Sequence, residues 1–268
     1  MHFDLLDCND RQQPTKIIDR LLNMGDRKIQ EYTISFINAL GNECLGRSYL
    51  LQKSDLVEQL VEILKNEQGD THLRQNALGA LQKFSLRRKP QTIMIQLDLI
   101  KWISLILRNE ADQLTDYSIE YATALLMNLS LRDAGKDKCE EPDIQLLNVL
   151  NDLVEHENLQ VRTYVNGTLY SIFTRKKLRE EAKELGMPEV LQYLMEQSDE
   201  QFKRQIQYIL EQLNSTSDQN QDDTKDGAKS INAAEGEEDQ DDEDEDEYDE
   251  EDDEELFDAE DAEFNDII

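Results

Sequence analysis

The chain has 268 residues, with 60 Asp and Glu against 28 Lys and Arg and a formal net charge of -32. That balance disfavours a nucleic-acid binder, since the phosphates would be repelled. Three cysteines without a CxxC spacing, three scattered histidines and no apolar run approaching about 18 residues argue against a disulfide framework, a zinc site and a membrane-spanning helix. With no signal-like N-terminus, the reading is a soluble protein of a reducing intracellular compartment.

Residues 1–13 read as a poorly ordered lead-in. Pro14 then suits the first turn of a short helix with Ile17, Ile18, Leu21 and Leu22 on one face, closed by Gly25. Asp26 is the expected N-cap of a second helix, whose Ile29, Ile34, Ile37 and Leu40 point inward by their three-to-four spacing. A short connecting helix over GRSYLLQ from Gly46 precedes DLVEQLVEIL from Asp55, which buries Leu56, Leu60, Val61 and Leu64. A closing helix follows from about Thr71 to Leu86, buried through Leu73, Ala77, Leu78, Leu81 and Phe84. LDLIKWISLIL from Leu97 is apolar nearly all round, hence central, and Thr115 caps a helix running from about Asp116 to Leu131. Pro142 is expected to open a helix holding Ile144, Leu146, Leu147, Val149, Leu150, Leu153 and Val154, paired with one from about Asn158 to Phe173. Pro188 opens the last pair, which ends near Leu213.

One helix of this series recurs. YTISFINAL from Tyr32, NALGALQKFS from Asn76, YATALLMNLS from Tyr121, YVNGTLYSIF from Tyr164 and a divergent QIQYILEQL from Gln205 begin 44, 45, 43 and 41 residues apart. A period near 43 with a helical pattern is the mark of an armadillo or HEAT-like solenoid, which displays surfaces for partners. Small residues at Ala39, Ala77, Gly79, Ala80, Ala122, Ala124 and Gly167 let neighbouring layers approach closely. The predicted fold is therefore all-α, a right-handed solenoid of about five repeats over residues 14–215.

From Thr216 onward the chain carries 27 Asp or Glu and 2 Lys, leaving a net -7 before it. Such a density of one charge predicts a disordered acidic tail over 216–268. Asp218, Asn220 and Asp222 have calcium-loop spacing, but Asp223 stands where the loop glycine belongs and Lys229 where the bidentate Glu does, so no EF-hand is read.

No catalytic motif is found, and no metal or cofactor is called for. Candidate partner-binding residues are the basic groups just beyond the closing helices: Arg87, Arg88, Lys89, Arg132, Arg175, Lys176 and Lys177. They form either one basic ridge for an acidic partner or the chain's own tail, or simply cations favoured at helix C-termini by the dipole. Asn128 falls where importin-α and β-catenin carry a groove asparagine, but the other copies have Ala39, Lys83, Ser171 and Gln212. A peptide-holding asparagine ladder is absent, which argues against an import receptor. Trp102 and Met94, Met127, Met187 and Met195 read as packing residues.

GRSYLLQ at 46–52, ALGALQKFSLRR at 77–88, YATALLMNLSLR at 121–132, YVNGTLYSI at 164–172 and REEAKELGM at 179–187 together resemble the armadillo region of the LisH-domain-containing armadillo proteins of cilia and basal bodies. The resemblance covers roughly residues 27–215, and the acidic stretch is similar too. It implies a non-enzymatic scaffold at basal bodies, centrioles and the axoneme, supporting cilium assembly and axonemal microtubule stability. Its partners would be proteins of the ciliary module, some associated with microtubules, with no nucleic acid or membrane. The family's N-terminal LisH motif and coiled coil have no counterpart in these residues, so the sequence reads as a shorter relative or a fragment and leaves the oligomeric state open. A different function, an acidic-tailed chaperone or transport adaptor for histones or ribosomal proteins, fits the charge run.

Overall fold

A computed structural model describes Leu6, Cys8 and residues 17–215; the expected lead-in, apart from those two residues, the Pro14 helix start and the acidic tail lie outside the described residues. Among the described residues the regular structure is helical: fourteen α-helices, no strand and one 3-10 turn. The first repeat holds α1 (Ile17–Leu22) and α2 (Arg27–Leu40). Each later repeat has three helices: α3 (Cys44–Leu51), α4 (Leu56–Asn66) and α5 (His72–Phe84); α6 (Arg88–Gln96), α7 (Leu99–Asn109) and α8 (Asp116–Ser130). The last two repeats are α9 (Asp133–Cys139), α10 (Leu146–Leu153) and α11 (Leu159–Ile172), then α12 (Lys176–Glu184), α13 (Met187–Gln197) and α14 (Glu200–Asn214).

The last helix of each repeat packs on its counterparts in the neighbouring repeats, α2 on α5, α5 on α8, α8 on α11 and α11 on α14. This closing-helix layer and the second helices enclose one continuous core, from Ile18 and Leu22 to Ile209 and Leu213. Full burial of one such aliphatic side chain contributes about 1.5–3 kcal/mol, so burial is the main stabilising term.

The ends of the closing helices explain why they start and stop where they do. All five carry a side-chain N-cap: Asp26 accepts from the N–H of Lys28 and Ile29, Thr71 from Arg74, Thr115 from Ser118, Asn158 from Gln160 and Asp199 from Phe202. Each cap contributes about 1 kcal/mol. At the other end, the next short helix reaches back to the orphan carbonyls. Arg47 Nη1 donates to Gly41 O and Asn42 O, Gln91 Nε2 to Ser85 O at 2.8 Å, and Arg179 Nη1 to Phe173 O at 2.8 Å and Thr174 O at 2.9 Å. The same approach explains two glycines: a Cβ on Gly46 would lie 2.0 Å from Leu40 O, and one on Gly135 1.9 Å from Leu129 O.

Several expectations are corrected. Pro142 does not open α10; it lies in a turn, and the helix starts at Leu146 because Gln145 adopts a left-handed backbone with φ 51°. Ile144 is still buried, its carbonyl accepting from Ser104 Oγ at 2.9 Å. Ile17 is exposed rather than on the buried face of α1, and Ala39 is exposed rather than a small residue between layers. Ile29 and Leu40 are only half-buried. The helix α6, which begins at Arg88 and includes Lys89 and Pro90, is an addition to the elements expected from the sequence, as are α9 and α12.

Candidate partner-binding faces

The seven basic candidates sit on one edge of the solenoid, at the N-terminal ends of α6, α9 and α12. Arg87, Arg132 and Arg175 are the residues preceding those helices. They therefore stand at a helix N-terminus as much as behind a helix C-terminus, and the dipole alone does not account for them. Arg87 and Arg175 each clamp the first helix of the preceding repeat. Arg87 Nη2 donates to Ser48 Oγ at 2.7 Å and approaches Cys44 Sγ at 3.8 Å. Arg175 Nη2 donates to Asp133 O at 3.2 Å and pairs with Asp133 Oδ1 at 3.1 Å and Asp137 Oδ1 at 2.9 Å.

Of the remainder, Lys177 Nζ donates to Glu140 O at 2.5 Å, Lys176 lies 3.8 Å from Glu180 Oε1, and Lys89 is exposed. Arg88 and Arg132 are half-buried. The edge is thus a mixed row in which carboxylates alternate with cations, and its strongest charges hold repeats together.

Asn128 is 3% exposed, and its Nδ2 donates to Ser85 Oγ at 2.8 Å. The repeat-equivalent positions behave alike. Lys83 Nζ donates to Asn38 O at 2.8 Å and Oδ1 at 2.7 Å, and Ser171 Oγ donates to Ser130 O at 2.7 Å. This position stitches α5, α8 and α11 to the closing helix before each, so the Asn128 amide is spent on stacking. Burial, with Arg47 nearby, holds the Lys83 ammonium below the usual lysine range.

A different feature of the closing-helix layer carries a surface able to receive a partner. The rings of Tyr117 and Tyr121 stack with centroids 4.3 Å apart. Tyr117 Oη lies over Gly79, where a Cβ would approach it to 2.6 Å, and it hydrogen-bonds Asn38. Beside this pair, Gln82, Glu120, Tyr121, Ala124 and Tyr164 line a cleft of about 90 Å³. The cleft draws on three successive helices, α5, α8 and α11. Glu120 Oε2 accepts from Asn158 Nδ2 at 3.1 Å. Burial raises the phenols of both Tyr117 and Tyr164 above the usual range, so both remain neutral donors. The signal in the sequence is the tyrosine recurring at the head of the repeat, Tyr32, Tyr121 and Tyr164.

Trp102 is half-buried and packs under Arg74, whose guanidinium lies 5.0 Å from the ring centroid and pairs with Glu110 at 2.6 Å. Met94 and Met187 are buried, whereas Met127 is half-buried. A broad, shallow polar depression lies between α13 and α14 against Glu196, Glu200, Lys203 and Arg204. Among the described residues, no group of three or more His, Cys, Asp or Glu side chains is placed to hold a metal ion, and no helix is long and apolar enough to cross a membrane.

Residues 94–214 match the family model described as "LisH domain-containing protein ARMC9, ARM repeats". The chain is 46% identical to the Bos taurus LisH domain-containing protein ARMC9 over 211 residues, which make up 79% of this chain and 31% of that protein. Against the Homo sapiens protein it is 43% identical over 212 residues, 79% of this chain and 26% of that one. The matched region thus spans less than a third of these relatives' length. Among solved structures, the chain is similar to computationally designed armadillo repeat proteins for modular peptide recognition, with a TM-score of 0.63 at 16% identity over 74% of this chain and 81% of that one. It is also similar to the designed armadillo repeat protein YIII(Dq.V1)4CPAF in complex with peptide (KR)4, with a TM-score of 0.61 at 15% identity over 74% and 81%. The fold is that of an armadillo solenoid, and its repeats are related to those of LisH domain-containing protein ARMC9.

Proposed function

We propose, from the premise of an armadillo solenoid with ARMC9-type repeats, that the chain is a non-enzymatic scaffold whose closing-helix face holds an extended segment of a partner protein. The observation that supports this most is the tyrosine-lined cleft crossing α5, α8 and α11. A surface shared by successive repeats suits a ligand that runs across them, and solenoids use their inner surfaces in this way. Tyrosines give such a surface large, rigid contact area with a polar tip. Gln82 and Glu120 supply acceptors for a backbone or a basic side chain. A designed armadillo protein of the same fold is seen with the peptide (KR)4, which fits that chemistry.

In the cell the scaffold works with ciliary and basal-body proteins, at basal bodies, centrioles and the axoneme, supporting cilium assembly and axonemal microtubule stability. The similarity to ARMC9 supports this setting. Proximity labelling from the tagged chain in a ciliated cell tests it: enrichment of basal-body or axonemal proteins is the expected result, and their absence overturns the setting. Tyr121→Ala with Tyr164→Ala should deplete the labelled partners about tenfold or more, with circular dichroism run alongside so that the loss is read on folded chain only; undiminished capture would remove the cleft from the account.

The 27 acids after Ser215 support a second reading, an adaptor for basic proteins such as histones or ribosomal proteins. Removing residues 216–268 separates the two readings. Loss of captured basic proteins favours the adaptor, and retained centriolar partners favour the scaffold.

A further inference from the structure

The first closing helix exposes two large rings, Tyr32 and Phe36, at positions that every later repeat covers wholly or in part. On α2, Lys28, Tyr32, Phe36 and Ala39 follow one another at spacings of four, four and three residues, and so lie on a single stripe. Tyr32 is 73% and Phe36 52% exposed, and Lys28 and Ala39 are exposed. The positions equivalent to Phe36 in the later repeats are Ala80, Leu125, Thr168 and Ile209, of which Leu125 is 0% and Ile209 1% exposed.

Hydrogen bonds identify what this stripe does in those repeats. At the Tyr32 position, Asn76 accepts from Asn38 and Gln205 accepts from Asn166, both donors on the preceding closing helix. At the Ala39 position, Lys83, Asn128 and Ser171 all donate to the preceding repeat. From the Tyr32 position to the Ala39 position the stripe is the surface with which a closing helix stacks on its predecessor, whereas the Lys28 position stays exposed in the later repeats, at His72, Tyr117, Gln160 and Gln201. At the opposite end of the array, α14 turns outward the exposed polar residues Gln207, Glu211 and Asn214, as a terminal repeat needs for solubility.

We infer that this open stacking face is a docking surface for a second copy of the chain, pairing α2 against α2 in antiparallel fashion about Phe36. The stripe is complementary to itself. An antiparallel two-fold at Phe36 sets Phe36 on its twin, Tyr32 near Ala39 and Leu40, and Lys28 within one residue of Glu43. Lys28 and Glu43 are both exposed, and neither is in an ion pair among the described residues. Their arrangement opposes the dipole of α2, with a cation in its first turn and an acid beyond its end. Within one copy that is mildly unfavourable, and across the two-fold it becomes a reciprocal pair.

Sedimentation velocity of the whole chain over a range of concentrations tests this. The expected result is a monomer–dimer equilibrium that Phe36→Asp weakens about thirtyfold or more. Lys28→Glu should weaken it as well, and adding Glu43→Lys should restore it to within about threefold of the starting value. Tyr208→Ser, on α14, should leave it unchanged, and melting curves taken at a concentration where every variant is monomeric should be the same, because none of these side chains is in the core. A monomer at every concentration overturns the inference, as does a dimer indifferent to Phe36→Asp. A monomer that Phe36→Asp destabilises also overturns it, because the face is then covered by the chain's own residues.

Discussion

At the scale of single residues, burial decides which thiols can react. Cys139 is buried, which pushes its thiol up to about 12, and Cys8 is also buried, whereas Cys44 is half-buried beside Arg87. A disulfide reagent at pH 8 should therefore modify Cys44 first, with Cys8 and Cys139 reacting only on unfolding; two or three equally fast thiols would contradict the burial. Asp70 makes the complementary case for a carboxylate. Burial alone would raise it, but Ser118 Oγ at 2.5 Å and the Thr115 N–H at 2.7 Å donate to it, and the net effect is a carboxyl below its ordinary 3.8. Its folded value lies below its unfolded one, so its contribution is complete above about pH 4 and is lost as the pH falls further through the folded value. Asp70→Asn should cost about 1 kcal/mol at pH 7 and flatten the decline of the urea midpoint between pH 4 and 2; an unchanged pH curve would refute the assignment. None of this could be read from the sequence, because Asp70 meets Ser118 only through the stacking of α5 on α8.

At the scale of elements, the closing helices were legible because three signals coincide in each: an Asp, Thr or Asn cap, apolar residues at three-to-four spacing, and a length above twelve residues. The short first helices were not. Helix α6 is nine residues long and begins Arg-Lys-Pro, and α9 reads DAGKDKC, so the apolar stripe is confined to Pro90, Met94 and Ile95 in α6 and is missing from α9. Both exist because packing and inter-repeat clamps hold them, not because of propensity. Pro142 misleads for a related reason: proline marks a first turn only if the next residues stay helical, and Gln145 leaves the helical region. Two substitutions test this division. Leu125→Ala, in the middle of α8 and fully buried, should cost about 2–5 kcal/mol by leaving a cavity. Gly135→Ala sets a methyl against Leu129 O and should cost about 1–3 kcal/mol by forcing α9 off α8. Melting measurements showing under about 0.5 kcal/mol for either would mean the packing is assigned wrongly.

At the scale of the whole molecule, the hydrogen-bond ladder and the core link each repeat to its neighbours only, so stability is set by position along the array. The candidate site follows the same logic. The repeat spacing singled out Asn128 and the arginines, but which polar groups are engaged between repeats depends on contacts 40 or so residues away, such as those of Asn128 with Ser85 and of Arg87 with Ser48. The proposed function rests instead on the cleft that Tyr121 and Tyr164 line. A nearest-neighbour array makes a prediction that a single globular core does not. Helices α5 and α8 are supported on both sides, whereas α14 is supported on one. Amide exchange in the native state should therefore be slowest in α5 and α8 and faster in α14 by about a hundredfold or more, through local opening of the end repeat. Ile209→Ala, which weakens only the α14 interface, should speed exchange in α14 and leave α5 unaltered, while Leu125→Ala should speed it in both α5 and α11. Equal acceleration of every helix by Ile209→Ala would show that the five repeats unfold as one cooperative unit, and the additive account of the solenoid would fail.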